Sequence, residues 1–307
     1  MNYITSEDFS LKHSAVALGK FEGIHRGHQL LLSEIKKQET KHMNSVVFTF
    51  DMPPGSALSG NHAFRQIYTK DERHTILKNL GMDVLIEYPF TREFASLSPE
   101  AFIKDILVGK VGAEVVVVGT DFRFGKKRSG GISDLKRLSD SLGYQLIVKE
   151  KLQEDRKDIS SSRIRSLLAE GKMEEVQKLL GRPYSIAGKV VHGRALGRTI
   201  QIPTVNQRID PVKLTPPNGV YVSCVHLEDE LFYGITNIGV KPTIEGESEK
   251  GVETYIFDFD RDVYGKEITV DFLHYCRPEM RFDSVGMLKE QMRRDITYGK
   301  EYIKGVK

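Results

Sequence analysis

Two short segments carry side chains whose types and spacing suit phosphate chemistry. The first is GKFEGIHRGH, residues 19–28. Gly19, Gly23 and Gly27 let the backbone approach a ligand closely, and His25 and His28 stand three residues apart where a helix would begin. A helix start presents unpaired N–H groups and a partial positive charge, so an anion fits there, and two imidazoles can donate to one phosphate. Such a pair suits stabilisation of charge developing on a phosphoryl centre better than nucleophilic attack. Zinc is the weaker reading, because no third or fourth ligand stands near the pair.

The second segment is IPTVNQ, residues 202–207, which follows a basic glycine-rich stretch, HGRALGRT, at 192–199. Thr204 and Asn206 are two apart on an extended segment and point to one side. Both offer hard oxygen atoms suited to Mg²⁺ held together with nucleotide phosphates. Read alone, the segment is by default a turn. Glu253 lies in VETYIFDF, where Tyr255 and Phe257 share its side of a strand. If that side faces a barrel interior, Glu253 is an acid among apolar groups and suits a general base. The alternative is a solvent-facing strand glutamate. Two more stretches are compatible with phosphate or ligand contact. SSSRIR (160–165) places hydroxyls and guanidiniums at a helix start, with Ser161, Ser162 and Arg165 as contacts, or else a serine cap before a solvated basic face. TDFRFG (120–125) is a turn after a strand, with two phenylalanines that could simply pack.

These residues must be held by regular elements. Strand SAVAL (14–18) precedes the first segment, and an amphipathic helix over 27–39 follows it. Strands over 45–50, 84–86, 114–119 and 144–149 alternate with helices over 71–80, 99–108 and 132–142. The run at 114–119 is built on four successive valines, apolar and β-branched, as a strand buried on both faces should be. That alternation implies a parallel sheet covered by helices on both sides. A helix over 160–180 ends at Gly181 and Pro183. Beyond it the texture changes to short alternating runs separated by Gly, Pro, Asn and Asp, which reads as an antiparallel, closed β-barrel with one terminal helix over 283–297. The boundary is expected near 182/183, giving domains 1–182 and 183–307, and 307 residues are enough for two cores.

Composition excludes several classes. No run of about 18 apolar residues offers a transmembrane helix, and the N-terminus lacks the basic head and apolar core of a secretory signal. Cys224 and Cys276 are too few for a disulfide framework or a metal cluster, which favours the cytoplasm. A net charge of +3 is too small to imply nucleic acid. Neither a nucleic-acid nor a membrane partner is expected, and the chain is expected to be a monomer or a weak homo-oligomer.

The first segment resembles the His-x-Gly-His signature of the nucleotidylyltransferases, a Rossmann-like α/β group, and the resemblance continues through 115–131 and 159–171. It implies that Gly19, Phe21, Gly23, His25, His28, Ser161, Ser162 and Arg165 bind ATP. The two histidines would stabilise the transition state at the α-phosphate, and Asp121 and Phe124 would bind FMN. HGRALGRTIQIPTVN, YGITNIGVKPT (233–243), VETYIFDFDRDVYGKEI (252–268) and HYCRPEMRF (274–282) resemble riboflavin kinase, a six-stranded antiparallel barrel. There Pro203, Thr204 and Asn206 would hold Mg²⁺ and ATP, and Gly193, Arg194, Gly197 and Arg198 would cover the phosphates. Glu253 would deprotonate the ribityl 5′-hydroxyl, and Arg277 would lie in a segment closing over the flavin. The two parts in this order resemble the prokaryotic bifunctional riboflavin kinase/FMN adenylyltransferase family. That implies riboflavin, FMN, FAD and ATP as substrates and products, with Mg²⁺ as cofactor. Departures from the family pattern are Glu22 for the usual aspartate, Pro53 for a histidine, Gly131 for an acidic residue and Gln201 for a glycine. A single active site, or a flavin-sensing regulatory protein, are the alternatives.

Overall fold

The structure, a computed structural model, describes residues 1–50, 65–193, 197, 200–242 and 248–306. The chain forms two compact units, Met1–Ser161 and Ser162–Lys307.

The first unit is a parallel six-stranded sheet with helices packed against it. Its strands are β1 (Asn2–Ile4), β2 (Ser14–Leu18), β3 (Asn44–Phe50), β4 (Val84–Tyr88), β5 (Ala113–Gly119) and β6 (Gln145–Lys149). They lie in the order β1-β4-β3-β2-β5-β6. Alternate residues of each central strand enter different cores. Val16 and Leu18 pack with Phe48, Phe102 and Leu135 on one face, and Ala15 and Ala17 pack with Leu32, Ile35 and Leu77 on the other. This explains the unbroken apolar runs over 15–18 in β2 and 115–118 in β5: there neither face meets water. The helices are α1 (Arg26–Lys37), α2 (Lys70–Asn79), α3, and α4 (Ile132–Leu142). α3 starts at Pro99 with Ser98 as its cap and widens to i→i+5 hydrogen bonding over Phe102–Lys110.

The sheet reverses direction between β2 and β5. From β2 the order runs to β3 and β4 on one side, and to β5 and β6 on the other. In open parallel sheets the crevice outside the carboxyl ends of the two strands at such a reversal is where ligands bind. GKFEGIHRGH leaves the end of β2, and TDFRFG leaves the end of β5, its parallel neighbour.

The second unit begins with α5 (Ser161–Ala169, its first residue at the junction) and α6 (Met173–Leu180). The single helix expected over 160–180 is thus two, because Gly171 takes a left-handed conformation, φ 72°. Glycine does so without steric cost, and the hydrophobic period alone does not register the break. Six antiparallel strands follow: β7 (Tyr184–Val191), β8 (Val205–Arg208), β9 (Gly219–Leu227), β10 (Glu230–Pro242), β11 (Ser248–Ile256) and β12 (Glu267–Arg277). They close into a barrel in the order β8-β11-β10-β9-β12-β7. Tyr184, Tyr221 and Phe272 are fully buried. Thr236 donates to Ser223 at 2.7 Å and contacts the Thr254 hydroxyl at 2.9 Å, so these buried hydroxyls satisfy one another. The last helix, α7 (Val285–Val306), runs well past residue 297. Its Ile303 packs on Val220, Val222, Ile235 and Phe257, which project outward from the barrel. Among the described residues no helix is long and apolar enough to cross a membrane.

Candidate active sites

The loop after β2 is held in an uncommon shape. Phe21 and Ile24 have φ of 45° and 41° and are fully buried. Non-glycine residues adopt such values rarely and at a cost, and the surrounding packing here fixes them. The result is that His25 becomes the N-cap of α1, its Nδ1 accepting from the His28 backbone N–H at 3.3 Å. The two imidazoles stack with centroids 3.7 Å apart and planes within 14°. Phe21 packs against the His28 ring at 4.9 Å. A Cβ on Gly19 would stand 3.1 Å from the Phe21 ring, and one on Gly27 3.2 Å from His25 Nδ1. Both positions are therefore tight for any larger residue. The first turn of α1 carries no acidic residue, and its Arg26 pairs with Glu154 at 2.7 Å. Of the family departures, Glu22 accepts from the Ile67 backbone N–H at 3.2 Å. Gly131 caps α4, its N–H donating to Asp134.

At the end of β5, Asp121 is exposed and pairs with Lys151 at 3.1 Å. Phe124 is 8 % exposed and belongs to the sheet core. Phe122 stacks on it at 5.5 Å and remains part-exposed, so the ring more open to a ligand is the one that the sequence reading passed over. Ser161 and Ser162 open α5 and Arg165 lies one turn further on. Pro53 falls outside the described residues.

In the second unit, a cavity of about 220 Å³ lies between the outer wall of the barrel and α7. Gly197, Thr204, Glu253, Tyr255 and Arg277 line it from the barrel side, and Leu288, Met292 and Asp295 from α7. Glu253 therefore does not face the barrel interior. Val252, Thr254 and Ile256 take the inner face, and Glu253, Tyr255 and Phe257 take the outer one. The apolar surroundings expected of Glu253 exist, but the terminal helix supplies them.

The registers place Glu253 in a row. Asn206 pairs with it across β8 and β11, Asn237 pairs with it across β11 and β10, and Val220 and Arg277 continue the row on β9 and β12. Directly paired residues share a face, with Cβ atoms about 5 Å apart. Asn206 turns its amide N–H toward the Thr204 carbonyl at 3.5 Å. Arg277 is gripped from α7: its Nε and Nη2 donate to the two carboxylate oxygens of Asp295 at 3.0 and 2.6 Å, and Gln291 donates to the same carboxylate.

The glycines of HGRALGRT sit against the expected oxygen donors. A Cβ on Gly193 would stand 2.5 Å from the Asn206 amide nitrogen, and one on Gly197 would collide with the Ile202 carbonyl and stand 3.4 Å from the Thr204 hydroxyl. Backbone can lie over these two side chains only where no side chain intervenes. Arg194 and Arg198 fall outside the described residues; Pro203 is exposed at the loop end. Gln201 has φ 62°, which is the physical reason a glycine suits that position. Thr204 and Asn206 bring a hydroxyl and an amide beside a cradle that a Cβ would fill. That oxygen set fits Mg²⁺, which keeps most of its coordination for water and phosphate. Asn237, Glu279 and Asp295 were not singled out from the sequence. Asn237 had a signal, a polar residue within the alternating run YGITNIGV.

Comparison with known proteins accounts for both units. The FAD synthetase family model matches residues 8–163, and the riboflavin kinase model matches residues 180–303. A bifunctional riboflavin kinase/FMN adenylyltransferase of Buchnera aphidicola is 37 % identical over 94 % of this chain and 94 % of its own. One of Listeria monocytogenes is 34 % identical over 95 % of this chain and 93 % of its own. A solved structure, described as a macrolide-efflux protein from Streptococcus pneumoniae, superposes with a TM-score of 0.85 at 34 % identity. It covers 96 % of this chain and 97 % of its own.

Proposed function

The chain belongs to the bifunctional riboflavin kinase/FMN adenylyltransferase family, phosphorylating riboflavin to FMN and adenylylating FMN to FAD, and from that premise we propose how its residues divide the two reactions. Residues 183–307 carry the kinase. Glu253 takes the proton of the ribityl 5′-hydroxyl as that oxygen attacks the γ-phosphorus of ATP. Thr204 and Asn206 hold Mg²⁺, which when bound offsets charge on the phosphates. Gly193, Arg194, Gly197, Arg198 and Pro203 pass over the nucleotide. Arg277 and the apolar wall of the cavity receive the flavin ring.

Residues 1–182 carry the adenylyl transfer. A phosphate oxygen of FMN attacks the α-phosphorus of a second ATP, the bond to the β-phosphate oxygen breaks, and pyrophosphate leaves. No side-chain nucleophile is needed, because a phosphate monoester is already largely ionised at neutral pH. His25 and His28, beside Gly19, Phe21 and Gly23, donate to the phosphates and stabilise the charge that develops. Ser161, Ser162 and Arg165 are assigned to ATP, and Asp121 and Phe124 to FMN, on the sequence motifs. The cytoplasm, the compartment that holds ATP, is where we place the protein.

The observation that supports this most is that Glu253 and Asn237 line one cavity with Thr204 and Gly197, while Asn206 pairs with Glu253 on the neighbouring strand. A carboxylate there stands beside hard oxygen donors and an apolar slot. Supplying riboflavin, ATP and Mg²⁺ and separating the flavins tests the assignment. Glu253→Gln should stop FMN formation while FMN supplied directly still becomes FAD. FMN formation at the native rate by this variant would remove Glu253 from the role.

A further inference from the structure

A second group of ligand-bearing side chains lies on the same barrel, away from the cavity. Cys224 and Asp271 are directly paired across β9 and β12. His226 is two residues beyond Cys224 on β9, and so on the same outer face. The three donor atoms, one sulfur, one nitrogen and one oxygen, lie within 4.8 Å of one another. His226 Nε2 and Asp271 Oδ2 are 2.8 Å apart. The group stands four and six residues along β9 from Val220. At about 3.3 Å per residue that is roughly 13–20 Å from the Glu253 row, so it takes no part in phosphoryl transfer.

We propose that Cys224, His226 and Asp271 form a binding site for Zn²⁺ with three protein ligands and one position open to solvent. Bonds of about 2.0–2.3 Å in tetrahedral geometry put ligand atoms roughly 3.3–3.7 Å apart. The three atoms reach that spacing by small side-chain rotations, since all rise from paired strands. Burial is graded in the sense such a site needs. Cys224 is 6 % exposed, the Asp271 side chain 16 % and the His226 side chain 47 %, so the sulfur sits at the floor and water reaches the imidazole side. The donor set is also unlike that of Thr204 and Asn206. A thiolate and an imidazole select zinc, and magnesium prefers oxygen alone. Zinc takes the place of the thiol proton, so binding releases protons and strengthens as pH rises.

Co²⁺ titrated into the EDTA-stripped full-length protein is the test, because a thiolate bound to Co²⁺ gives a charge-transfer band that oxygen and nitrogen ligands do not. The expected result is one equivalent of Co²⁺ with that band, displaced by Zn²⁺ and unaffected by excess Mg²⁺. Cys224→Ser should abolish the band. His226→Ala, at an exposed position that leaves the fold intact, should weaken Zn²⁺ binding roughly tenfold or more, as loss of a ligand costs at least what loss of its supporting partner does. Both variants should still convert riboflavin to FMN. No thiolate band in the native protein at saturating Co²⁺, or a band that survives Cys224→Ser, would overturn the site.

Discussion

Asn206 and Glu253 face each other across the β8–β11 ladder, so backbone hydrogen bonds fix the distance between the amide assigned to the metal–nucleotide and the carboxylate assigned to the proton. The two substitutions should therefore separate kinetically. Glu253→Gln removes the base without changing the shape of the wall, and should lower kcat for FMN formation by roughly 10²–10⁴-fold with little change in KM for ATP. Asn206→Ala should raise KM for ATP and the Mg²⁺ requirement. Steady-state kinetics at varied Mg²⁺ would show this, and indistinguishable defects in the two variants would argue against separate roles.

The loop over Thr204 and Asn206 makes opposite demands at two positions. Gly193→Ala should sharply weaken ATP binding by the kinase, since its new carbon would stand 2.5 Å from the Asn206 amide. Gln201→Gly should do the reverse for stability. A left-handed residue with a side chain costs about 1–2 kcal/mol, and glycine gives back about 0.5–1 kcal/mol in backbone entropy. A net gain of roughly 0.5–1 kcal/mol is expected in denaturant unfolding of the barrel. A loss of stability would mean that the Gln201 side chain makes contacts that outweigh its backbone.

Asp295 holds Arg277 in place, and with it the edge of the cavity. The Asp295 side chain is 8 % exposed and the Arg277 side chain 19 %, so the pair is largely shielded from water. Asp295→Asn should destabilise the barrel by about 2 kcal/mol, the scale of hydrogen bonds to charged groups. It should also raise KM for riboflavin more than it lowers kcat. Parallel urea titrations and riboflavin saturation curves would check this; an unchanged KM would confine Asp295 to a structural role.

The His226–Asp271 pair makes a pH-dependent contribution whose sign is set. The hydrogen bond to Asp271 raises the imidazole above its ordinary value of 6.5. A group whose folded value is raised binds its proton more tightly in the folded state. Its stabilisation is complete below the unfolded value and is lost as pH rises through the folded one. In the metal-free protein, the difference in unfolding free energy between native and Asp271→Asn should be largest near about pH 5–6, where carboxylates are ionised and imidazoles charged. It should shrink above neutrality. A difference that grows with pH would contradict the pairing.

Much of this was legible in the sequence, for reasons that differ from element to element. SAVAL gave the bounds of β2, because a strand buried on both faces at all five positions carries no charged residue, and His13 and Gly19 flank it. The helix after GKFEGIHRGH was legible from its apolar period and the glycines before it. The side of β11 that Glu253 occupies was not. Alternation separates two faces but does not say which one lies inside, and here the outer face is partly covered too, by a helix about thirty residues further on. Phe122 and Phe124 are equivalent in the sequence as well. The fold distinguishes them, packing Phe124 against Phe102 at 5.2 Å. The break at Gly171 escaped because a glycine inside a helical period marks a break only when its φ is known.

The most direct test of two independent sites in one chain is to prepare His28→Ala and Glu253→Gln, give each riboflavin, ATP and Mg²⁺, and then mix them. His28→Ala alone should accumulate FMN, and Glu253→Gln alone should leave riboflavin unchanged. The mixture should produce FAD, as FMN made by one variant is adenylylated by the other. FAD from either variant alone at the native rate, or a mixture that stops at FMN while Glu253→Gln also fails on FMN supplied directly, would contradict the division.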